Sequence, residues 1–441
     1  MNMAASGNAA RIEARLAAAL ANSFPEQKTQ LRSLGREIEM PVLQHDLTPG
    51  SVPAILQDLV HCGAKPEVKD GYLGAIISEL GTLCVEAGTS TLEYSSVPAR
   101  DLFALQALFD KALPELAQTL ARHNCDAFGL GLNPLVQDPA KLATPKPHYA
   151  ALRQAVGSVW DLFNITCGDH VHVSVLRDEA LSVRNALDLA TPLFQALFAN
   201  SNLRGGRVQP QAMHREFVMR KSHPESTRTG PLLMTLPDFE SCVRLRLRER
   251  HVLSKQMRDQ ERAHYTIESG AFADWAAQRS TLSDADLFKA FQFHDHYTWN
   301  VVRLRPDYGT VEMRVACAQP FEDGMLYPAL VLGLAEMADY VVTEVLTALP
   351  KYEDRVRWCD ATLCSPALQT ARDIDLGVRL LQLAEEGLRI RGQGEDALIT
   401  PLFERHQRKT NPALRLKDAV NRLGLDAAIR ARGLSCAPQK V

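Results

Sequence analysis

The sequence lacks several features that mark specialised classes of protein. Its 49 basic and 52 acidic residues leave a net charge of −3, so no basic field favours nucleic acid or an anionic membrane as a partner. None of the nine cysteines forms a CxxC pair, which favours reduced and mainly structural thiols. The longest apolar runs, residues 16–21 and 326–335, are too short for a signal-peptide core or a bilayer span. These absences predict a soluble cytoplasmic protein that acts on small molecules.

What remains is the composition of an ordinary globular protein, with 46% hydrophobic and 23% charged residues in 441. Apolar positions three and four residues apart predict helices at residues 8–22, 51–61, 99–123, 147–160, 178–200, 321–348 and from about 366 onward. Strand patterns occur among them without regular strand–helix alternation, which favours an α+β fold. We expect a helical N-terminal arm at residues 1–30, a catalytic domain at 31–350 and a helical C-terminal portion at 351–441.

Five short segments share one alternating pattern, in which polar residues on one face are backed by apolar residues on the other. Side chains two positions apart on a strand lie on the same face. The polar positions are Glu37 and Glu39, Glu93, His170 and His172, Arg303 and Arg305, and Glu312 and Arg314. If these strands form one sheet, its apolar face packs on helices and its other face collects four glutamates, two histidines and three arginines.

Such a face needs ligands of both charges. Carboxylates this close repel one another and become protonated unless a cation lies between them. An oxygen-rich set with few histidines favours Mg²⁺ or Mn²⁺ over Zn²⁺, and arginines suit the oxygens of phosphate. Each segment alone is more often a solvated face or a surface ion pair. The five together indicate a site for a metal and a polyphosphate.

Four of these segments, with two others, resemble the glutamate–cysteine ligase family of the second type, which includes carboxylate–amine ligases. The matching stretches, in the family's order, are GREIE at 35–39, VEAGTSTLE at 85–93, GDHVHV at 168–173, ANSNLRGGR at 199–207, RTG at 228–230 and DYGTVEMR at 307–314. The resemblance implies a fold like that of glutamine synthetase, a curved antiparallel sheet with helices on its outer face. It also implies that ATP phosphorylates a carboxylate, foremost the γ-carboxylate of glutamate, and that an amine attacks the resulting acyl phosphate.

The resemblance further implies a role for each matching residue. The expected metal ligands are Glu37, Glu39, Glu93, His170 and Glu312. Glu37 and Arg314 would be catalytic, with Arg314 steadying the transferring phosphoryl group, and the nucleotide would contact His172, Arg303, Arg305 and Arg314. Substrate would be held by Ser201, Arg207, Arg228 and Glu86.

Two other functions fit parts of the sequence. In a zinc metallohydrolase, His170, His172, His294 and His296 would form two HxH pairs on the metal. That reading leaves the glutamates and arginines without a role. A non-catalytic, nucleotide-binding relative would be expected to have lost some of these charged residues, and they are present.

The basic residues of segment 238–262 bear on the charge of the amine acceptor. Arg244 and Arg248 are four residues apart, as are Arg246 and Arg250, so a helix would present them as basic ridges. Ridges near the pocket would favour an acceptor with an extra carboxylate or phosphate. Because acidic residues are interleaved with the arginines, a solvent-exposed charged face is an equally good interpretation of the segment. The sequence leaves the oligomeric state open.

Overall fold

The structure, a computed structural model, describes residues 3–27, 31–222, 227–259, 262–364 and 370–436. Among these residues, no helix is both long enough and apolar enough to cross a membrane. One antiparallel sheet of nine strands organises the chain, and helices cover its apolar face. The α+β architecture predicted from the sequence is confirmed.

The strands fall into this large sheet and three two-stranded pairs. In chain order they are β1 Leu34–Gln44, β2 Lys65–Lys69, β3 Tyr72–Ser78, β4 Gly81–Val85, β5 Thr91–Ser96, β6 Cys125–Ala127, β7 Asp169–Ser174, β8 Leu203–Arg204, β9 Arg207–Val208, β10 Thr229–Gly230, β11 Leu253–Met257, β12 Ala263–Ile267, β13 Trp299–Asn300, β14 Val302–Arg305 and β15 Thr310–Met313. The large sheet has the order β14-β15-β7-β1-β5-β4-β3-β2, and β6 pairs with the far end of β1.

The helices account for most of the remaining described chain. They are α1 Met3–Asn22, α2 Val52–His61, α3 Leu102–Arg122, α4 Pro147–Val156, α5 Ala180–Leu189, α6 Thr191–Phe198, α7 His214–Met219, α8 Phe239–Leu247, α9 Phe272–Ala277, α10 Asp284–His296, α11 Leu326–Glu336, α12 Ala338–Ala348, α13 Tyr352–Cys364, α14 Ala371–Ile390, α15 Thr400–Gln407, α16 Pro412–Leu423 and α17 Leu425–Arg430. Short 3-10 segments lie at Pro139–Leu142, Ser158–Ile165, Phe321–Asp323, Glu395–Ile399 and Leu434–Cys436.

The register of the sheet brings the polar positions of distant segments side by side. Glu37 of β1 is paired with His170 of β7, and Glu39 is paired with Glu93 of β5. Glu312 of β15 lies between His172 of β7 and Arg303 of β14. Because neighbouring residues in register lie on the same face, the charged positions of five strands form one continuous surface.

The opposite face of the sheet is the main hydrophobic core. Many of the residues that alternate with the charged ones are no more than 2% exposed, among them Ile38, Met40, Leu92, Val171 and Val311. Helices α5 and α11 pack against this side, and α11 in turn crosses α14. At that crossing, a Cβ on Gly333 would lie 2.2 Å from the carbonyl oxygen of Ala384.

Several predicted elements differ in extent from those observed. The helix predicted at 178–200 is two helices, α5 and α6, because the chain bends at residue 190 just before Pro192. In the segment 238–262, helix α8 ends at Leu247 and is followed by the hairpin of β11 and β12. Glu261 of that segment lies outside the described residues.

Candidate active site

The acidic half of the charged surface is built around β1. His170 lies between the two glutamates of that strand, with Nδ1 3.3 Å from Glu37 Oε2 and Nε2 3.9 Å from Glu39 Oε1. His172 Nε2 lies 3.2 Å from Glu37 Oε1 and 3.6 Å from Glu312 Oε1. The surface forms the floor of a cleft that Glu86 and Glu93 also line.

The electrostatics of these carboxylates fit a cation. Burial, with repulsion from Glu86, raises the pKa of Glu39 to about 7. Burial and three neighbouring glutamates raise the pKa of Glu93 well above its ordinary value. Burial acts in the same direction on Glu37, but hydrogen bonds from His170 and His172 hold its pKa well below the ordinary value. A divalent cation would relieve the repulsion that the protein alone leaves in place.

The five predicted ligands form two clusters that share His170, and Cys84, Glu86 and Glu93 form a third. Glu37, His170 and Glu312 each offer an atom within 4.8 Å of the others, and so do Glu39, Glu93 and His170. The donor set is mainly carboxylate oxygen, which suits Mg²⁺ or Mn²⁺. The five predicted metal ligands are therefore brought together, in an arrangement that offers a place for two ions.

The other half of the surface is cationic. Glu312 is fully buried and pairs with Arg314 and, at 3.1 Å, with Arg305. Arg303 is 7% exposed, and no described carboxylate lies within 4.0 Å of its guanidinium. Its Nε has no hydrogen-bond partner, and burial together with Arg305 lowers its pKa to about 10. A buried arginine without an ion pair is costly, and an anionic ligand would compensate it.

Arg215 is a residue of the cleft that the sequence analysis missed. It lies on α7, is 2% exposed, and has an Nε without a partner. One of its terminal nitrogens donates to His170 Nε2 at 3.4 Å, so His170 carries its proton on Nδ1 and donates it to Glu37. The only signal in the sequence is a charged pair, Arg215 and Glu216, within an otherwise mainly apolar stretch.

The remaining side of the cleft is aromatic. We call it the aromatic wall, and it consists of Tyr149, Trp160, Phe163, Tyr297 and Trp299. Trp160 stacks on Phe163 with ring centroids 4.5 Å apart, and Trp299 lies 4.9 Å from Phe163. These rings belong to a hydrophobic cluster separate from the main core. The sequence analysis did not find this wall, because its members come from two distant parts of the chain, 149–163 and 297–299.

The predicted substrate residues separate into two groups. Glu86 lines the cleft, whereas Ser201, Arg207 and Arg228 do not. Ser201 is buried behind the cleft, where its Oγ accepts from the Arg215 backbone nitrogen. Arg207 is exposed on β9, and Arg228 is buried against the carbonyl oxygens of Tyr297 and Arg250.

The histidine pair expected for zinc does not form. His294 and His296 lie on helix α10 rather than on a strand, so residues two apart point in different directions. His294 packs against Phe272, with ring centroids 4.6 Å apart, while His296 faces the cleft. Within the described residues, neither belongs to a cluster that could hold a metal.

The predicted basic ridges do not reach the cleft either. Arg244 pairs with Glu13 of α1, and Arg246 pairs with Glu249 and Asp295. Arg250 donates to the carbonyl oxygen of Ala155, and Arg248 is exposed. None of the four lines the cleft, so they give no reason to expect an anionic acceptor.

Comparison with known proteins places this site in a family. The family described as "Glutamate-cysteine ligase family 2 (GCS2)" matches residues 33–415 of this chain. The chain belongs to this family. A curated relative from Laribacter hongkongensis (strain HLHK9), named "Putative glutamate--cysteine ligase 2", is 25% identical over 316 residues, or 70% of this chain and 67% of that one. The family resemblance seen in the sequence is confirmed. The prediction that the chain is an ATP-dependent ligase that forms carbon–nitrogen bonds is confirmed as well.

Solved structures show the same fold at low sequence identity. A bifunctional glutathione synthetase from Pasteurella multocida is similar over 97% of this chain, with a TM-score of 0.54 and 14% identity. This chain spans about half of that protein, 52% of its length. A glutamate–cysteine ligase from Francisella tularensis, solved in complex with AMP, is similar over 93% of this chain and 89% of its own, with a TM-score of 0.50 and 12% identity.

Proposed function

We propose that the cleft joins the γ-carboxylate of glutamate to the amine of a second small molecule, through an acyl phosphate made from ATP. The observation that carries the proposal is the division of one sheet face into a carboxylate–histidine half and an arginine half. A buried acidic cluster needs cations and a buried, unpaired Arg303 needs an anion. A metal–nucleotide complex supplies both at once.

Each half has a part in the first step. The oxygen of the donor carboxylate attacks the terminal phosphorus of ATP, the bond to the bridging oxygen breaks, and ADP leaves with that oxygen. Arg303, Arg305 and Arg314 would bind the phosphate oxygens and stabilise the charge that develops on them. Glu37, Glu39, Glu93, His170 and Glu312 would hold Mg²⁺ or Mn²⁺, which when bound neutralises charge on the phosphoryl group.

The second step forms the amide. The amine nitrogen attacks the carbonyl carbon of the acyl phosphate. The bond from that carbon to the oxygen that carries phosphorus then breaks, and phosphate leaves with this oxygen as the nitrogen loses a proton. One oxygen of the donor carboxylate therefore ends in inorganic phosphate. Arg215, between His170 and Arg314, is placed to bind an oxygen of the donor or of the acyl phosphate. All nine cysteines are free, which fits the cytoplasmic location we propose.

Isotope transfer tests this mechanism directly. Glutamate labelled with ¹⁸O in its γ-carboxylate, incubated with ATP, Mg²⁺ and pooled amines, should give inorganic phosphate that carries one ¹⁸O atom. Phosphate with no label, from a reaction in which amide forms, would contradict the acyl phosphate. Glu37→Gln, which keeps the shape and removes the charge, should lower turnover at least about a hundredfold while the melting temperature stays within a few degrees. Near-normal turnover of that variant at limiting Mg²⁺ would remove Glu37 from the metal site.

A further inference from the structure

The aromatic wall is the one side of the cleft whose chemistry is unused by metal, phosphate or donor carboxylate. Its rings are held rigidly beside the acidic end of the surface. The turn after Glu86 approaches the Ser158–Ile165 segment so closely that a Cβ on Gly88 would lie 1.9 Å from the carbonyl oxygen of Asn164. Thr144 fixes the same turn by donating to the carbonyl oxygen of Glu86.

Tyr149 of the wall and the arginines of β14 lie toward different ends of the sheet face, whereas Tyr297 and Trp299 come just before β14 in the chain. Arg303 and Arg305 lie on β14, the edge strand, whereas Glu93 lies on β5, four strand spacings or about 19 Å across the sheet. The ring of Tyr149 lies near the end of β4, since Lys146 Nζ is 5.3 Å from its centroid and donates to the carbonyl oxygen of Val85 at 2.6 Å. Phosphate bound at Arg303 and Arg305 would therefore be separated from Tyr149 along the sheet.

The nucleoside has a separate place to bind. A second cavity flanks β14 and shares Arg303, Arg305 and His296 with the cleft. Its other lining residues are mainly apolar, and its hydrogen-bonding groups are Arg184, Arg246, Gln292, Asp295 and Asp307. A base bound there would leave the phosphates over the arginines and would leave the aromatic wall to another ligand.

From this arrangement we propose that the amine acceptor carries an aromatic or bulky aliphatic side chain, which packs on the aromatic wall beside Glu86. The proposal rests on the ligase function proposed above and specifies its second substrate. Tyr149 and Trp299, the partly exposed rings of the wall, offer apolar contact area and no charge, so they favour an apolar substituent over a carboxylate or phosphate. Cysteine would fill only a small part of this space.

The test compares acceptors on the full chain with glutamate, ATP and Mg²⁺. Phenylalanine and leucine should have a kcat/KM at least about tenfold above those of cysteine, glycine and aspartate, since apolar pockets discriminate by tens to hundreds of times. Cysteine or aspartate as the best acceptor would overturn the proposal.

Two variants with a matched control locate the side chain. Tyr149→Ala should lower the ratio of kcat/KM for phenylalanine to that for glycine by about tenfold, with Tyr149→Leu, which keeps an apolar surface, giving a smaller drop. Phe293→Ala removes a ring of the same hydrophobic cluster that does not line the cleft, and it should leave the ratio unchanged. A rise in the KM for ATP in Tyr149→Ala, without a change in the acceptor ratio, would mean that the wall binds the nucleoside, and would overturn the proposal.

Hydroxylamine separates this inference from the function on which it rests. It traps an acyl phosphate as a hydroxamate without needing a side-chain pocket. Hydroxamate from glutamate and ATP, together with no preference for apolar amines, would overturn the acceptor assignment and leave the ligase mechanism standing. If neither hydroxamate nor labelled phosphate forms with any donor, the proposed function fails and the acceptor assignment fails with it.

Discussion

Arg303 shows how a single residue can distinguish a binding role from a structural one. Its guanidinium is buried, one nitrogen donates to the carbonyl oxygen of Asp295 at 3.1 Å, and Nε has no partner. Arg391 is equally buried but pairs with Glu395 at 2.6 Å and Glu336 at 2.7 Å. Arg391 therefore stabilises the fold through its ion pairs. Burial of Arg303 lowers the stability of the fold, and a bound anion would offset that loss.

Replacing Arg303 should weaken ATP binding without weakening the fold. In Arg303→Gln we expect the Kd for ATP to rise at least about tenfold, because a charge-assisted hydrogen bond is lost, while the free energy of unfolding is unchanged or slightly higher. Calorimetric titration and urea unfolding measure the two effects. The matched control, Arg391→Gln, should lose about 3 kcal/mol of stability because it leaves the fully buried carboxylate of Glu395 without its ion pair. Equal destabilisation in the two variants would show that Arg303 is structural.

Individual elements differ in how well the sequence predicts them. Strands β1, β5, β7, β14 and β15 were predicted with their charged faces because alternation at a period of two is a local signal. Residues 294 and 296 share that spacing, yet Leu287, Phe291 and His294 form the buried side of helix α10. A spacing of two between histidines does not distinguish these cases, whereas the apolar positions around them do.

Other parts of the site depend on contacts that no local pattern contains. The sequence places Arg246 in a basic ridge. In the structure its Nε lies 2.8 Å from Asp295, which is distant in the chain. Arg215 has no recognisable motif, because it reaches the cleft from a six-residue helix anchored through the Ser201 hydroxyl. The roles proposed for Ser201, Arg207 and Arg228 from the family resemblance stay predictions.

The crossing of α11 and α14 makes a prediction about the helical layer. In Gly333→Ala the new methyl group would meet backbone, the carbonyl oxygen of Ala384 at 2.2 Å, so the helices must separate. We expect a loss of about 2 kcal/mol or more in the free energy of unfolding, measured by urea denaturation. Gly270→Ala is a suitable control, since its nearest neighbour would lie 4.0 Å away, and it should be close to neutral. A near-neutral Gly333→Ala would mean that this crossing is looser than the structure shows.

At the scale of the whole molecule, side chains from the N-terminal helix, the sheet and the C-terminal helices belong to one hydrophobic cluster. Leu16 and Leu20 of α1 are in it, as are Leu376 and Leu380 of α14. Leu20 also lines the cavity beside β14, so α1 contributes to the proposed nucleoside site. The domain boundaries predicted at residues 30 and 350 stay a prediction.

Stability should fall in mild acid because buried histidines stay neutral in the folded chain. Burial and the charge of Arg228 lower the pKa of His251 to about 3 and that of His294 well below its ordinary value. Between pH 6.5 and about 3 the unfolded chain binds protons that the folded chain does not. The free energy of unfolding should therefore decrease as the pH falls, by at most about 1.4 kcal/mol per pH unit for each histidine.

Denaturation across this pH range tests the assignment. His251→Asn, which cannot take up the proton, should make the decrease shallower, while His45→Asn, at an exposed position, should leave it unchanged. A steeper or identical slope in His251→Asn would contradict the role of His251.

The order of the strands gives the cleft a direction. Carboxylates gather toward β5 and the end of β4, and guanidinium groups gather on and beside β14 and β15, so the floor is a dipole that lies along the sheet. Its field would draw a protonated amine toward one end and a polyphosphate toward the other before either makes contact, and added salt would slow both encounters. The same residues on strands in another order would have the same composition and net charge but no such gradient. Orientation of the substrates is in this sense encoded in the topology of the sheet.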